Sequence, residues 1–223
     1  MSNKEYWEQL HSNKRFRPRY PETEVVRWLM KKEWGETSKV LDAGCGAGRH
    51  IKLLAENGII PYGIDYSSGG VEYSRRLLSE SGYQQYVENI IQGSCDSLPY
   101  EDCIFDGVIS FGVLYYLDSE MIPKAVCEIH RVLKNGGEAI VVVRNTEDYR
   151  NNKTPEKCAD SVISVNNGNL SGSAERGMVE HFFSKSEVLE LFNCFREISV
   201  ERIVRTYDNE TICDNDFIII AKK

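Results

Sequence analysis

The chain alternates between short apolar runs and stretches in which apolar residues recur every three to four positions. A short run bounded by turn residues reads as a strand, and the 3.6-residue period reads as a helix. On that basis strands are expected at 38–42, 60–64, 87–92, 105–110 and 137–144, and helices at 48–57, 69–81 and 119–133. This alternation predicts an α/β fold, a doubly wound and mostly parallel sheet with helices on both faces. Ligands of such sheets bind outside the carboxyl ends of the strands, where Gly44, Asp65, Ser94 and Ser110 would gather.

The flanks carry different patterns. Residues 4–11 read as a short amphipathic helix with Tyr6, Trp7 and Leu10 on one side. Pro18 and Pro21 break the next stretch, and Pro21-Glu22-Thr23-Glu24 opens a helix whose apolar face holds Val25, Val26, Leu29 and Met30. Residues 1–36 are thus expected to form a helical cap on a single domain spanning 1–223. From Asn145 to Gly177 the periodicity is lost and Asn, Ser and Gly accumulate. A structureless loop of that length inside a compact domain is usually functional or disordered. Because it follows the fifth strand on the ligand side, residues 145–180 are read as a substrate lid. Ser184 and Glu187 then offer a capping box for a helix at 185–194, and strands near 196–206 and 215–221, antiparallel to each other, finish the chain.

Chemistry enters with Val40-Leu41-Asp42-Ala43-Gly44-Cys45-Gly46-Ala47-Gly48-Arg49-His50. An apolar run ends in an acid, glycines alternate, and a helical pattern starts at once. Bare backbone can then approach a ligand, and the helix N-terminus faces it. A second apolar run ends at Asp65, which can accept hydrogen bonds from both hydroxyls of a ribose. A dinucleotide fingerprint reads G-x-G-x-x-G and holds a pyrophosphate. Here the pattern is D-x-G-x-G-x-G, and the Asp42 carboxylate would repel a pyrophosphate but suits a ligand carrying an ammonium and a sulfonium. An NAD-dependent oxidoreductase stays open as a second enzyme class, favoured by the strand–glycine–strand–acid order and disfavoured by the glycine spacing.

Three further segments follow in order: Gly93-Ser94-Cys95-Asp96-Ser97-Leu98-Pro99-Tyr100, Ile104-Phe105-Asp106-Gly107-Val108-Ile109-Ser110, and Glu128-Ile129-His130-Arg131-Val132-Leu133-Lys134-Asn135-Gly136-Gly137. With the glycine loop and Asp65, they make the chain resemble the class I S-adenosylmethionine (SAM) methyltransferases, in their type 11/25-like branch. The resemblance implies a Rossmann-like seven-stranded sheet of order 3-2-1-4-5-7-6 with an antiparallel last strand. It implies SAM as cofactor, S-adenosylhomocysteine (SAH) as product and no metal. Asp42, Gly44, Cys45, Gly46 and Gly48 would lie at the methionine end of the cofactor. Asp65, Tyr66 and Ser67 would meet the ribose, Ser94, Cys95 and Asp96 the adenine, and Ser110 and Phe111 the end of the fourth strand. Ser94 stands where the family often has a carboxylate for the adenine amino group, so a weaker serine contact, or Asp96 in its place, is expected.

Methyl transfer from a sulfonium needs the nucleophile held in line and shielded from water, and a base only if the nucleophile arrives protonated. His181, after the lid segment, is a candidate base or hydrogen-bond donor, with structural packing as the other reading; Tyr116 is a similar candidate. Tyr115, Arg144, Arg19 and Tyr20 are candidates for touching the substrate. His11 reads as an ordinary N-terminal residue, His50 as a structural or cofactor-supporting one, and His130 as a surface residue.

Composition narrows the acceptor. A net charge of −7 argues against general nucleic-acid binding. The basic cluster Lys14, Arg15, Arg17 and Arg19 reads either as a solvated arm or as a contact for an anionic group. The N-P-P-Y or D-P-P-Y signature of nucleic-acid amino methylation and a Pro-Cys pair for cytosine C5 are missing. A small-molecule acceptor methylated at O or N is therefore expected, with RNA methylation ranked below it and a non-catalytic SAM-fold binding module as a third reading. No membrane-spanning run is present, and seven cysteines without C-x-x-C suggest neither a disulfide framework nor a zinc site, so a reduced, cytoplasmic setting is expected. Monomer and homodimer are both open.

Overall fold

The computed structural model describes residues 2–12, 17–151, 162–165 and 178–223. Most of the segment read as a lid (152–161 and 166–177) and Lys14 and Arg15 of the basic cluster lie outside the described residues. Strands β1 (Lys39–Ala43), β2 (Ile60–Asp65), β3 (Ile90–Gln92), β4 (Phe105–Phe111) and β5 (Leu133–Arg144) alternate with helices α3 (Arg49–Glu56), α4 (Ser68–Glu80) and α5 (Ile122–Val132). Ahead of them stand α1 (Asn3–Ser12) and α2 (Thr23–Met30). After them come a hairpin of β6 (Val162–Val165) and β7 (Val179–Phe182), helix α6 (Lys185–Leu191), and strands β8 (Glu197–Tyr207) and β9 (Ile212–Lys222).

The main sheet runs β3-β2-β1-β4-β5-β9-β8, which in a count of its seven strands is 3-2-1-4-5-7-6. The first five strands pair in parallel, and β9 runs antiparallel between β5 and β8. Alternation of side chains across the pleat explains the near-continuous apolar strands. Along β5, Ala139, Val141 and Val143 enter the core on one face, while Ile140 and Val142 enter the core on the other. The first core receives the apolar stripe of α5 (Ile122, Ala125, Val126, Ile129, Val132), and the second receives Val25, Trp28 and Leu29 of α2. Trp28 lies over Gly107 of β4, where a Cβ would stand 2.8 Å from the indole, and its Nε1 donates to Glu138 at 2.6 Å.

Three departures from the sequence pattern are instructive. The first half of the expected strand at 87–92 belongs to a 3₁₀ helix at Gln84–Asn89, leaving three residues of strand. The segment without periodicity holds a strand, β6, which pairs with β7; four residues are too few to show a period. Helix α6 stops at Leu191 rather than 194. Its cap is the expected one, with Ser184 Oγ accepting from the Glu187 N–H at 3.2 Å, while the Glu187 carboxylate reaches the His181 ring.

Candidate active site

A cleft of about 450 Å³ opens at the carboxyl ends of β1, β2 and β4. Its floor is the loop Gly44–Ala47, its sides include Asp65, Tyr66, Phe111 and Val113, and α1 contributes Trp7, Leu10 and His11. The loop is shaped by close approach. Gly44 has φ +90°, and a Cβ there would lie 2.2 Å from Val113 Cγ2, so any side chain would push the β4 loop away. Gly48 also has positive φ, yet its missing side chain makes room for Ser74 of α4 rather than for a ligand. Gly48 lies outside the cleft lining, and its bare backbone lets α3 and α4 pack.

Asp65 is 7% exposed, and its two oxygens accept from Gly46 N–H at 2.8 Å and Ser67 N–H at 2.9 Å. Burial pushes its pKa up to about 6; the two backbone hydrogen bonds oppose that shift, and Asp42 and Glu8 add to it. Asp42 does not line the cleft. It lies buried below the loop, 3.6 Å from His50 Nδ1, and its Oδ2 has no hydrogen-bond partner among the described residues. His50 Nε2 accepts from the Glu22 N–H at 3.3 Å, which leaves the ring proton on Nδ1, toward Asp42. Cys45 presents backbone to the cleft while its thiol packs toward Gly63 in the core, where burial raises its pKa.

Other expected cofactor residues stand back from the cleft. Ser67 is the N-cap of α4: its Oγ accepts from Gly70 N–H at 3.1 Å and donates to Glu8. Ser94 donates to the Asp96 carboxylate, Cys95 is buried, and all three stand outside the lining. Gly93 N–H donates to the Asp65 carbonyl at 2.9 Å, which keeps that segment beside β2. Ser110 is fully buried on β4, whereas Phe111, next along the strand, does line the cleft.

The substrate and catalytic candidates divide. Tyr115 and Tyr116 line the cleft with ring centroids 4.4 Å apart. Arg144 sits behind them, its guanidinium 4.4 Å from the Tyr115 centroid, in a buried ion pair with Glu180. Arg19 and Tyr20 are exposed and outside the lining, their neighbours Pro18 and Glu22 being the residues that face it. His181 is also absent from the lining: its Nε2 is 3.0 Å from Glu187, and its ring packs on Phe183 at 4.4 Å. His130 is half-buried against Phe195.

Sequence reasoning missed α1 as a wall. Trp7 packs edge-on against Tyr116 at 5.2 Å and lies 5.4 Å from the His11 ring. Glu8, on the same helix, accepts from Ser68 N–H at 2.8 Å and from Ser67 Oγ at 3.2 Å. At the other end, the Asn3 side chain bonds the Tyr116 carbonyl and both backbone groups of Val179. The signal available was the Trp7–His11 spacing of four on an amphipathic helix, which puts both rings on one face.

Comparison with known proteins shows what this geometry is similar to. Residues 41–141 match the model of a methyltransferase domain. The matched residues make up under half of the chain, and over them it is similar to methyltransferase domains. A demethylmenaquinone methyltransferase of Symbiobacterium thermophilum is 35% identical over 105 residues, covering 45% of this chain and 40% of that enzyme. The matches span about half or less of the length of the first such relatives. Among solved structures, a SAM-dependent methyltransferase of Methanosarcina mazei superposes with TM-score 0.65 at 19% identity, covering 92% of this chain and 98% of that one. A 1,6-didemethyltoxoflavin-N1-methyltransferase of Burkholderia thailandensis, with SAH and its substrate bound, gives 0.62 at 18% identity, covering 90% and 75%. At these identities the structural likeness concerns the fold. The sheet has the strand order that the resemblance implied, and the neighbours share that fold.

Proposed function

We propose that the chain transfers a methyl group from SAM to an oxygen or nitrogen of a small-molecule acceptor. One observation carries the reading: the glycine loop, Asp65 and an aromatic chamber of Trp7, Tyr115 and Tyr116 face one cleft. The residues fit the cofactor. The Asp65 carboxylate borders the cleft and can accept from ribose hydroxyls, and Asp42, whose buried Oδ2 has no hydrogen-bond partner among the described residues, lies under the loop where an acid suits a cationic ligand. Cleft size falls in the ordinary range for small-molecule sites, roughly 300–1,000 Å³.

Bound there, the cofactor would supply a methyl group already activated by its sulfonium. The protein's share is positioning and exclusion of water. Asp65 and the loop backbone would fix the nucleoside, with Tyr66 beside it. Trp7, Tyr115 and Tyr116 offer ring faces to a flat, largely apolar acceptor. The Arg144–Glu180 pair backs Tyr115 and holds it in place. The segment 145–180 is proposed to close over the acceptor, and Tyr116 Oη is the hydroxyl proposed to meet it. The named substrates of the relatives, a demethylated menaquinone and a toxoflavin precursor, are consistent with a planar acceptor.

Calorimetry with SAH tests the proposal directly. A saturable heat that Asp65→Ala abolishes is expected; the absence of any heat with either SAM or SAH would overturn it. A panel of quinols, phenols and heteroaromatic amines with radiolabelled SAM then assigns the acceptor.

A further inference from the structure

We infer that His11 is a cofactor-contacting residue, its imidazole hydrogen-bonding a ribose hydroxyl beside Asp65. The inference rests on the reading of the cleft as a SAM pocket and goes beyond it by adding a side chain of α1 to the nucleoside site. His11 is 5% exposed, lines the cleft, and its Nδ1 has no hydrogen-bond partner among the described residues. Its ring is wedged between the glycine loop and the first turn of α4. Nε2 lies 3.4 Å from where a Gly46 Cβ would be, and Nδ1 lies 2.8 Å from where a Gly70 Cβ would be. Gly46 is also the residue whose N–H donates to Asp65, so imidazole and carboxylate flank one point of the loop.

The ring is placed there by dedicated contacts. Glu8, three residues back, fastens α1 to Ser67, Ser68 and Gly69 of α4. Arg17 Nε donates to the His11 carbonyl at 2.7 Å, and Trp7 supports the ring from one turn earlier. A buried nitrogen without a partner is costly, and phenylalanine would fill the same space without that cost. The imidazole therefore suits a partner that arrives with the ligand. Burial drives its pKa down to about 4; Glu8 opposes that shift and Arg17 reinforces it. The ring is thus neutral near pH 7, with one donor and one acceptor, which matches a hydroxyl better than a carboxylate or an ammonium.

The test compares wild type, His11→Phe and His11→Asn by calorimetry with SAH, alongside thermal unfolding with and without SAH. Phenylalanine is expected to leave the ligand-free melting temperature unchanged or higher, to weaken SAH roughly tenfold, and to shrink the SAH-induced stabilisation. Asparagine should recover part of the affinity. Titration with 2′-deoxy- and 3′-deoxy-SAH then reads the coupling: the loss from His11→Phe should vanish with the analogue lacking the partner hydroxyl. SAH affinity equal to wild type in His11→Phe, or full additivity with both analogues, overturns the inference while leaving the SAM pocket standing. A wild-type protein that binds no SAH removes the pocket itself, and the inference with it.

Discussion

The two walls of the cleft are built on opposite principles. The sheet wall is backbone: Gly44 and Gly46 at the end of β1, and Asp65 at the end of β2, are fixed by parallel ladders with neighbours on both sides. The α1 wall is side chain: Trp7, Leu10 and His11 project from a ten-residue helix held to the sheet domain by Glu8 at one end and Asn3 at the other. An isolated helix that short is marginal in water. Its order depends on those ties and on the cleft beneath it. A rigid half can preorganise the cofactor's position, while a half held by a few hydrogen bonds can open for exchange.

The largest effect is expected on the rigid wall. Asp65→Ala should weaken SAH by at least about a hundredfold, the loss of two charge-assisted hydrogen bonds, as measured by calorimetry. An equally tight complex would mean that the sheet wall does not hold the nucleoside. Gly44→Ala should destabilise the fold by roughly 2–4 kcal/mol, from a side chain at positive φ added to a clash with Val113, read by urea denaturation.

Proton linkage gives an intermediate test. The folded pKa of Asp65, about 6, lies above its ordinary value of 3.8. Protonated Asp65 is therefore favoured by folding, and its stabilising contribution fades as pH rises from about 4 through 6. Ligand binding has the opposite sign, because ribose donors need the ionised carboxylate. SAH affinity should be flat near pH 8 and fall below pH 6 by up to about tenfold per unit; an affinity that stays constant from pH 8 to 5 would contradict Asp65 as the acceptor. The smallest effect belongs to the α1 wall. Glu8→Ala should weaken SAH roughly threefold to tenfold, by releasing a tie that touches no ligand, and should speed amide exchange in residues 3–12. Unchanged exchange would show that packing alone orders α1.

This contrast also explains what the sequence made legible. The sheet wall announces itself because its constraints are local: a strand that must end, a glycine wherever a neighbour comes within bonding distance, an acid at the next strand end. Gly44 and Asp65 belong to that kind. At Gly48 the sequence pattern is the same, but only the position of α4 reveals that Ser74 fills the space beside it. Ser94 and Asp96, expected near the adenine, bond each other, a pairing that spacing does not encode. His181 Nε2 meets Glu187 of the capping box, a pairing visible only once β7 and α6 are folded. His11 and Glu8 make contacts some sixty residues away in sequence; the Trp7–His11 spacing marks a shared helix face but not what that face meets.

The double tether of α1 has a kinetic corollary. Asn3 grips Tyr116 and Val179 on one bank, and Glu8 grips the start of α4 on the other, so the helix lies like a latch bar across the mouth. A nucleoside seated beneath it leaves only after one bank lets go. Turnover would then be paced by unfastening rather than by bond chemistry, and loosening either tether should hasten SAH departure even as it erodes affinity.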